Sequence, residues 1–188
     1  MARLTGLVLA GGASSRMGTD KALLVVDGER LVDRAVRVLS TVCERVVVAS
    51  GERRLAGLAV EQVTDALPGS GPLGGLVAGL EAARTPLVAV LAVDLPDAAA
   101  EVFAELAQRW RGEPALVPVV GGRPQALHAV WAASAAVALR IRLAGGALGV
   151  IAACEAVGGQ LLDGSWPPGL ARNLNRPEDL PAVHPRRG

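Results

Sequence analysis

Short, uncharged runs alternate along this chain with stretches whose apolar residues recur every three to four positions. Residues 4–9 form one such run, ending in Gly11-Gly12, and predict a strand buried on both faces. Residues 31–42 place apolar side chains at 31, 32, 35, 36, 38, 39 and 42, the spacing of a helix face. A β-branched strand is predicted at 45–49 and a weaker one at 59–63, just before Asp65. After the Gly-Pro punctuation, 73–83 reads as a helix. The run 87–93 is a further buried strand that ends at Asp94-Leu95-Pro96. In 98–110, Val102, Phe103, Leu106 and Trp110 share one helical face, and 115–120 and 127–131 follow as strands. Residues 134–156 are Ala-rich and helical in pattern but broken by Gly145-Gly146, and the tail after Pro181 is expected to fray.

Strands buried on both faces and alternating with helices predict an α/β, Rossmann-like fold: a mostly parallel sheet with helices on both faces. Neither a repeat nor a linker marks a second domain, so residues 1–188 are read as a single domain. Ligands of such sheets sit outside the carboxyl ends of the strands. The residues richest in chemistry lie there: the segment 11–21 after the first strand, Asp65 after the third and Asp94 after the fourth.

Composition narrows the function. Nineteen basic residues against 18 acidic ones leave none of the basic excess that phosphate-backbone binding requires. Three Trp, one Phe and no Tyr also argue against base stacking on single strands, so no nucleic-acid partner is expected. No apolar stretch reaches membrane-span length and no cleavage site follows the first run, which makes the cytoplasm the expected location. Cys43 and Cys154 are far apart and read as buried, inert thiols. Lys21 is the one lysine among those 19 basic residues. A lysine kept where arginine is otherwise used throughout suggests a compact point charge that a guanidinium cannot replace, the alternative being chance survival.

The loop LAGGASSRMGTDK spans residues 9–21. Gly11, Gly12 and Gly18 let the backbone approach a ligand, and successive amides in such a loop form an anion-binding concavity. Ser14 and Ser15 add hydroxyls, and Arg16 and Lys21 add positive charge. The loop is neither a Walker motif nor the GxGxxG dinucleotide fingerprint. It resembles the signature of the molybdenum cofactor guanylyltransferases, the MobA-type nucleotidyltransferases. The resemblance continues through DALPGSGPLGGL from Asp65, AVDLP around Asp94, GRPQALHAVW from Gly122 and NLNRPEDL from Asn173, in the same order and spacing.

That resemblance implies a nucleotide-diphospho-sugar transferase-like fold and a Mg²⁺-dependent transfer of GMP from GTP to the terminal phosphate of molybdopterin, releasing pyrophosphate. It implies that Leu9, Ala10 and Gly11 line the guanine and ribose side, with Gly12 near the phosphates. Arg16 and Lys21 would neutralise the triphosphate, Asp65 would contact the nucleotide, and Asp94 would hold Mg²⁺. Arg123, Gln125 and His128 fall in a segment placed near the pterin substrate, and Asn175 in one that reaches the cleft. Contacts with cofactor-biosynthesis or acceptor proteins are implied as transient ones.

Simpler readings stand beside these. Asp94 before Pro96 suits a helix N-cap, Asp65 suits a turn, Asn175 suits the cap of a short helix, and a lone His128 suits the core. Ser50 stands where many relatives of that family carry an asparagine. Competing activities are a cytidylyltransferase on the same cofactor, a sugar-phosphate nucleotidyltransferase and a non-catalytic nucleotide-binding regulator. The double glycine of LAGG, where cytidylyltransferases usually read LAAG, favours GTP.

Overall fold

The first uncharged run is strand β1 (Leu4–Leu9), and all of its residues are buried. In chain order there follow β2 (Val25–Val26), β3 (Glu29–Arg30), α1 (Leu31–Ser40), β4 (Arg45–Ala49) and β5 (Glu61–Val63). Next come α2 (Gly71–Ala82), β6 (Leu87–Ala92), α3 (Ala100–Arg109), β7 (Ala115–Val120) and β8 (Arg123–Pro124). The last elements are β9 (His128–Ala132), α4 (Ala136–Ala144), α5 (Val150–Ala156) and β10 (Gln160–Asp163). This computed structural model describes residues 3–11, 21–65, 67, 69–147, 149–174 and 179. Gly12, Arg16 and Asn175, three residues with expected site roles, lie outside the described residues.

The main sheet runs β10-β7-β9-β6-β1-β4-β5, with β8 paired to β7. β1 is parallel to both β4 and β6, and β5 is parallel to β4. β9 runs antiparallel between β6 and β7, so the sheet is mixed but mostly parallel. Two short hairpins interrupt the alternation of strand and helix. One turns through Asp27-Gly28 and the other through Gly121-Gly122, and all four residues have positive φ, as a tight two-residue connection demands.

Side-chain alternation along β1 shows how both faces are covered. The α-carbon of Gly6 faces α1, where an added Cβ would meet Leu39, whereas Leu7 on the opposite face fits against Gly79 of α2. Gly79 and Leu7 approach so closely that no β-carbon fits between them. Val8 is paired with Leu91 and Leu91 with His128, which puts His128 on the α1 face, against Phe103 of α3. α4 packs on α2 across the other face. The core is mostly aliphatic, with Phe103 and Trp131 fully buried within it, and the Trp131 indole N–H donates to the Ala126 carbonyl at 3.2 Å.

The Gly145-Gly146 break separates α4 from α5, with Gly146 at a φ of 86° closing the turn. Neither cysteine is bridged. Burial raises the Cys154 thiol to about 11 and the Cys43 thiol to about 12, so both stay protonated and unreactive at neutral pH. Among the described residues no helix is long and apolar enough to cross a membrane.

Candidate active site

β4 and β5 extend the sheet to one side of β1, and the chain then returns through α2 to place β6 on the other side. The carboxyl ends of β1 and β6 therefore flank the point where the winding reverses, and ligands of open α/β sheets bind at that crevice.

The segment after β1 bends toward β4. The amides of Ala10 and Gly11 both donate to the Ala49 carbonyl, at 2.8 and 3.0 Å. Those two donors are thus engaged within the sheet. A β-carbon on Gly11 would lie 2.7 Å from the Gly51 nitrogen and 2.9 Å from its α-carbon, both backbone atoms that cannot swing aside. Gly11→Ala should therefore part the two strand-end loops. We expect the KM for nucleotide to rise by roughly tenfold, read from initial rates over a nucleotide series.

Lys21 opens the short helical turn Lys21–Leu23. Its ammonium donates to Asp94 Oδ2 at 3.2 Å, across the crevice between the β1 and β6 ends. The two side chains are 19% and 24% exposed, so both face the opening while their stems are packed. Asp94 follows β6 in a turn tied back to β1 by the Val93 amide, which donates to the Leu9 carbonyl at 3.2 Å. α3 starts only at Ala100, with Ala99 at its cap position, so Asp94 does not cap it.

Asp65 is held beside the same opening. Its amide donates to the Gly51 carbonyl, and Ser50 is bonded in the same way to Val63. The turn into α2 is fastened by Ser70, whose amide and hydroxyl both donate to the Leu67 carbonyl. Asp65 Oδ1 is buried and makes no hydrogen bond among the described residues, and the same is true of Ser50 Oγ. Burial, and secondarily the nearby Glu52 charge, raises the Asp65 carboxyl above the usual aspartate range. Buried acceptors without partners are uncommon and mark places where a ligand donor would be satisfied. Gly74 and Gly75 keep this spot open. A β-carbon on Gly74 would run into the Ser70 hydroxyl and stand 3.2 Å from Asp65 Oδ2, and one on Gly75 would crowd Leu9 at 3.2 Å. Leu9, Ala49, Asp65 and the first turn of α2 thus share one wall.

A cleft of about 420 Å³ opens on the other side of Asp94. Its lining includes Pro72, Leu95, Gln125, Leu127 and Asn173, together with the start of α5. Gln125 reaches this wall, whereas Arg123 is exposed on the β7–β8 hairpin and outside it. His128 does not reach it either. Its side chain is 0% exposed and stacks on Phe103 with ring centroids 4.3 Å apart, so it offers no surface to a substrate. In the segment that the resemblance brings to the cleft, Asn173 lines it. The α5 wall went unrecognised in the sequence, where 150–152 is only an apolar helix start.

Residues 6–157 match the MobA-like NTP transferase domain. The chain belongs to that family. Within the MobA-like family, a probable molybdenum cofactor guanylyltransferase of Chloroflexus aggregans is 36% identical over 193 residues, covering 96% of this chain and 93% of the relative. Another, of Opitutus terrae, is 47% identical over 120 residues, 61% of this chain and 59% of that one. The crystal structure of molybdopterin-guanine dinucleotide biosynthesis protein A from Archaeoglobus fulgidus superposes with a TM-score of 0.74 at 21% identity, covering 93% and 94% of the two chains. That of 2-C-methyl-D-erythritol 4-phosphate cytidylyltransferase from Thermus thermophilus gives 0.68 at 21% identity, covering 94% and 95%. At these identities the likeness speaks for the fold, which is that of the nucleotide-diphospho-sugar transferase type expected from the sequence. The matched span holds Leu9, Ala10, Gly11, Lys21, Asp65 and Asp94.

Proposed function

We propose that this chain is a cytoplasmic molybdenum cofactor guanylyltransferase, which transfers GMP from GTP to the terminal phosphate of molybdopterin and releases pyrophosphate. The observation that carries the reading is the Lys21–Asp94 pair, a cation and a carboxylate set at the winding reversal of a MobA-like nucleotidyltransferase fold, with an unpaired Asp65 oxygen on one side and a cleft on the other.

Each residue then has a physical task. Leu9 and the glycines of α2 pack against the nucleoside, and Asp65 accepts from the donor edge of the base, whose adjacent N–H groups in guanine suit a carboxylate. Arg16, in the loop ahead of Lys21, and Lys21 itself offset negative charge on the triphosphate and on the departing pyrophosphate. Gln125 and Asn173 contribute polar groups to the acceptor cleft, with Asn175 following in the same segment. Arg123, exposed on its hairpin, would meet only a part of the acceptor that extends beyond the cleft. His128, buried against Phe103, takes no direct part in binding.

A divalent ion fits this donor set. Among the described residues no group of three or more His, Cys, Asp or Glu side chains gathers to cage a metal. Asp94 supplies a hard, partly exposed oxygen at the crevice, which is what Mg²⁺ needs when ligand phosphates and waters complete its shell. When bound, Mg²⁺ neutralises phosphate charge there.

The reaction requires an acceptor phosphate oxygen to form a bond to the α-phosphorus of GTP while the α–β anhydride bond breaks and its electrons leave with pyrophosphate. A phosphate monoester is largely ionised near neutral pH, so no general base is needed. The protein's contribution is alignment and charge stabilisation.

Pyrophosphate release tests the reading. With molybdopterin present, GTP plus Mg²⁺ should support release, and CTP or omission of the metal should not. Equal rates with CTP would transfer the reading to a cytidylyltransferase. Nucleotide binding with no release under any condition would leave a binding protein.

A further inference from the structure

The turn that carries Asp94 is gripped from outside the sheet by the segment 168–174. Its main-chain bond is direct: the Leu174 amide donates to the Asp94 carbonyl at 2.8 Å. Leu170 and Leu174 are buried at 0% and 1% exposure and anchor the segment on either side of Arg172. Three residues after Asp94, the Asp97 carboxylate accepts from Arg172 Nη1 at 3.2 and 3.4 Å. Gly169 lies against the same aspartate, where an added β-carbon would be 3.0 Å from the Asp97 Cβ. The residue between Arg172 and Leu174 is Asn173, which lines the cleft alongside Asp94.

We infer that Asp97 and Arg172 are positioning residues, an ion pair that fixes the Asp94 turn and the Asn173 segment in register so that both face the same cleft. The inference rests on the reading of Asp94 as the carboxylate that holds the divalent ion. Neither side chain is placed to touch a substrate: they are 42% and 50% exposed and bonded to each other. An ion pair this open to solvent contributes little to global stability. Its consequence is local: among the described residues the two segments it joins also meet through the Leu174–Asp94 main-chain hydrogen bond and the Gly169–Asp97 contact. Removing such a support for a metal-holding carboxylate commonly lowers metal affinity or activity by about 10- to 100-fold. A fold-maintaining role would instead lower stability and activity together.

The experiment uses the full chain with Arg172→Met, Asp97→Asn, the double variant and Arg172→Lys, with Asp94→Ala alongside. Turnover is read by pyrophosphate release, Mn²⁺ affinity of the GTP complex by electron paramagnetic resonance, and stability by urea midpoint. Each single variant should lose roughly tenfold in kcat and in Mn²⁺ affinity, with KM for GTP and the urea midpoint near those of the parent. The double variant should be no worse than either single one, since both remove the same contact. Arg172→Lys should recover most of the loss, because a single nitrogen makes both contacts. The inference is overturned if the single variants keep full kcat and Mn²⁺ affinity, if their losses multiply in the double variant, or if activity falls only in step with the urea midpoint. Asp94→Ala separates the two levels. If it retains turnover and Mn²⁺ binding, the underlying site reading fails; if it loses both while the pair variants lose neither, only the positioning inference fails.

Discussion

Asp94→Ala is expected to lower turnover by roughly a thousandfold while leaving the protein folded. The size follows from what the carboxylate faces. It stands at the crevice between β1 and β6, 3.2 Å from the Lys21 ammonium and on the rim of the acceptor cleft. Removing it takes away the hard oxygen the proposed metal would draw from this turn, and breaks the 3.2 Å contact with Lys21. Stability should change little, because a pair that is 19% and 24% exposed is still partly solvated and its Coulomb gain is offset by desolvation. Asp94→Asn preserves shape and removes charge, so an equal loss there would assign the effect to the carboxylate rather than to packing. Lys21→Ala should fall by a similar factor. Lys21→Arg should not restore activity, since a guanidinium fork replaces a point charge in a confined position. The check is kcat at saturating Mg²⁺ and GTP together with urea midpoints. Full activity in Asp94→Ala would falsify the assignment of this residue to the chemistry.

Much of this site was legible because strand ends carry it. β1, β4 and β7 begin and end where their apolar runs predict, with Arg45, only partly buried, marking the start of β4. Lys21 and Asp94 each follow such an end, and a parallel arrangement of β1 and β6 brings those ends together. Other features left a weaker mark. β10 is a four-residue edge strand with only Leu161 and Leu162 apolar and most of its surface exposed, so its pattern does not differ from a loop. The antiparallel direction of β9 is set by the Gly121-Gly122 hairpin and by what pairs with β6, not by its own residues. Those glycines, and Asp27-Gly28, are hairpin signals that the sequence does carry. The Arg172–Asp97 pair had no signal. Its partners are 75 positions apart, and each is one exposed charge among many. His128 shows the opposite failure: a motif position suggested contact with substrate, while the alternation of β9 turns the side chain into the core against Phe103.

That burial makes His128 the source of a strong acid sensitivity. The imidazole is 0% exposed, stacked on Phe103, and neither ring nitrogen makes a hydrogen bond of full geometry to another group. Burial pushes its pKa from 6.5 down to about 4, with the backbone of Ala99 opposing the shift. The native state therefore holds the neutral ring where the unfolded chain already binds a proton. Because the folded value is the lower one, the unfolded state carries more protons between these two values, and stability falls as pH drops from 6.5 toward 4. The full difference corresponds to roughly 3 kcal/mol, most of which should be lost on going from pH 7.5 to pH 4.5. Urea unfolding at those two pH values measures it, with His128→Leu as the reference that cancels the titration of carboxylates such as Asp65. The wild-type chain should lose roughly 2 to 3 kcal/mol more than the variant on acidification. Parallel losses in the two proteins would mean that the native structure accommodates the imidazolium and would overturn this assignment. Activity offers a second reading of the same event. His128 sits on the strand paired with β6, and Ala92 at the end of β6 donates to the Leu127 carbonyl at 3.0 Å, two residues before Asp94. Protonation that loosens this strand end should therefore reach the Asp94 turn, and acid inactivation should be shallower in His128→Leu than in the wild type.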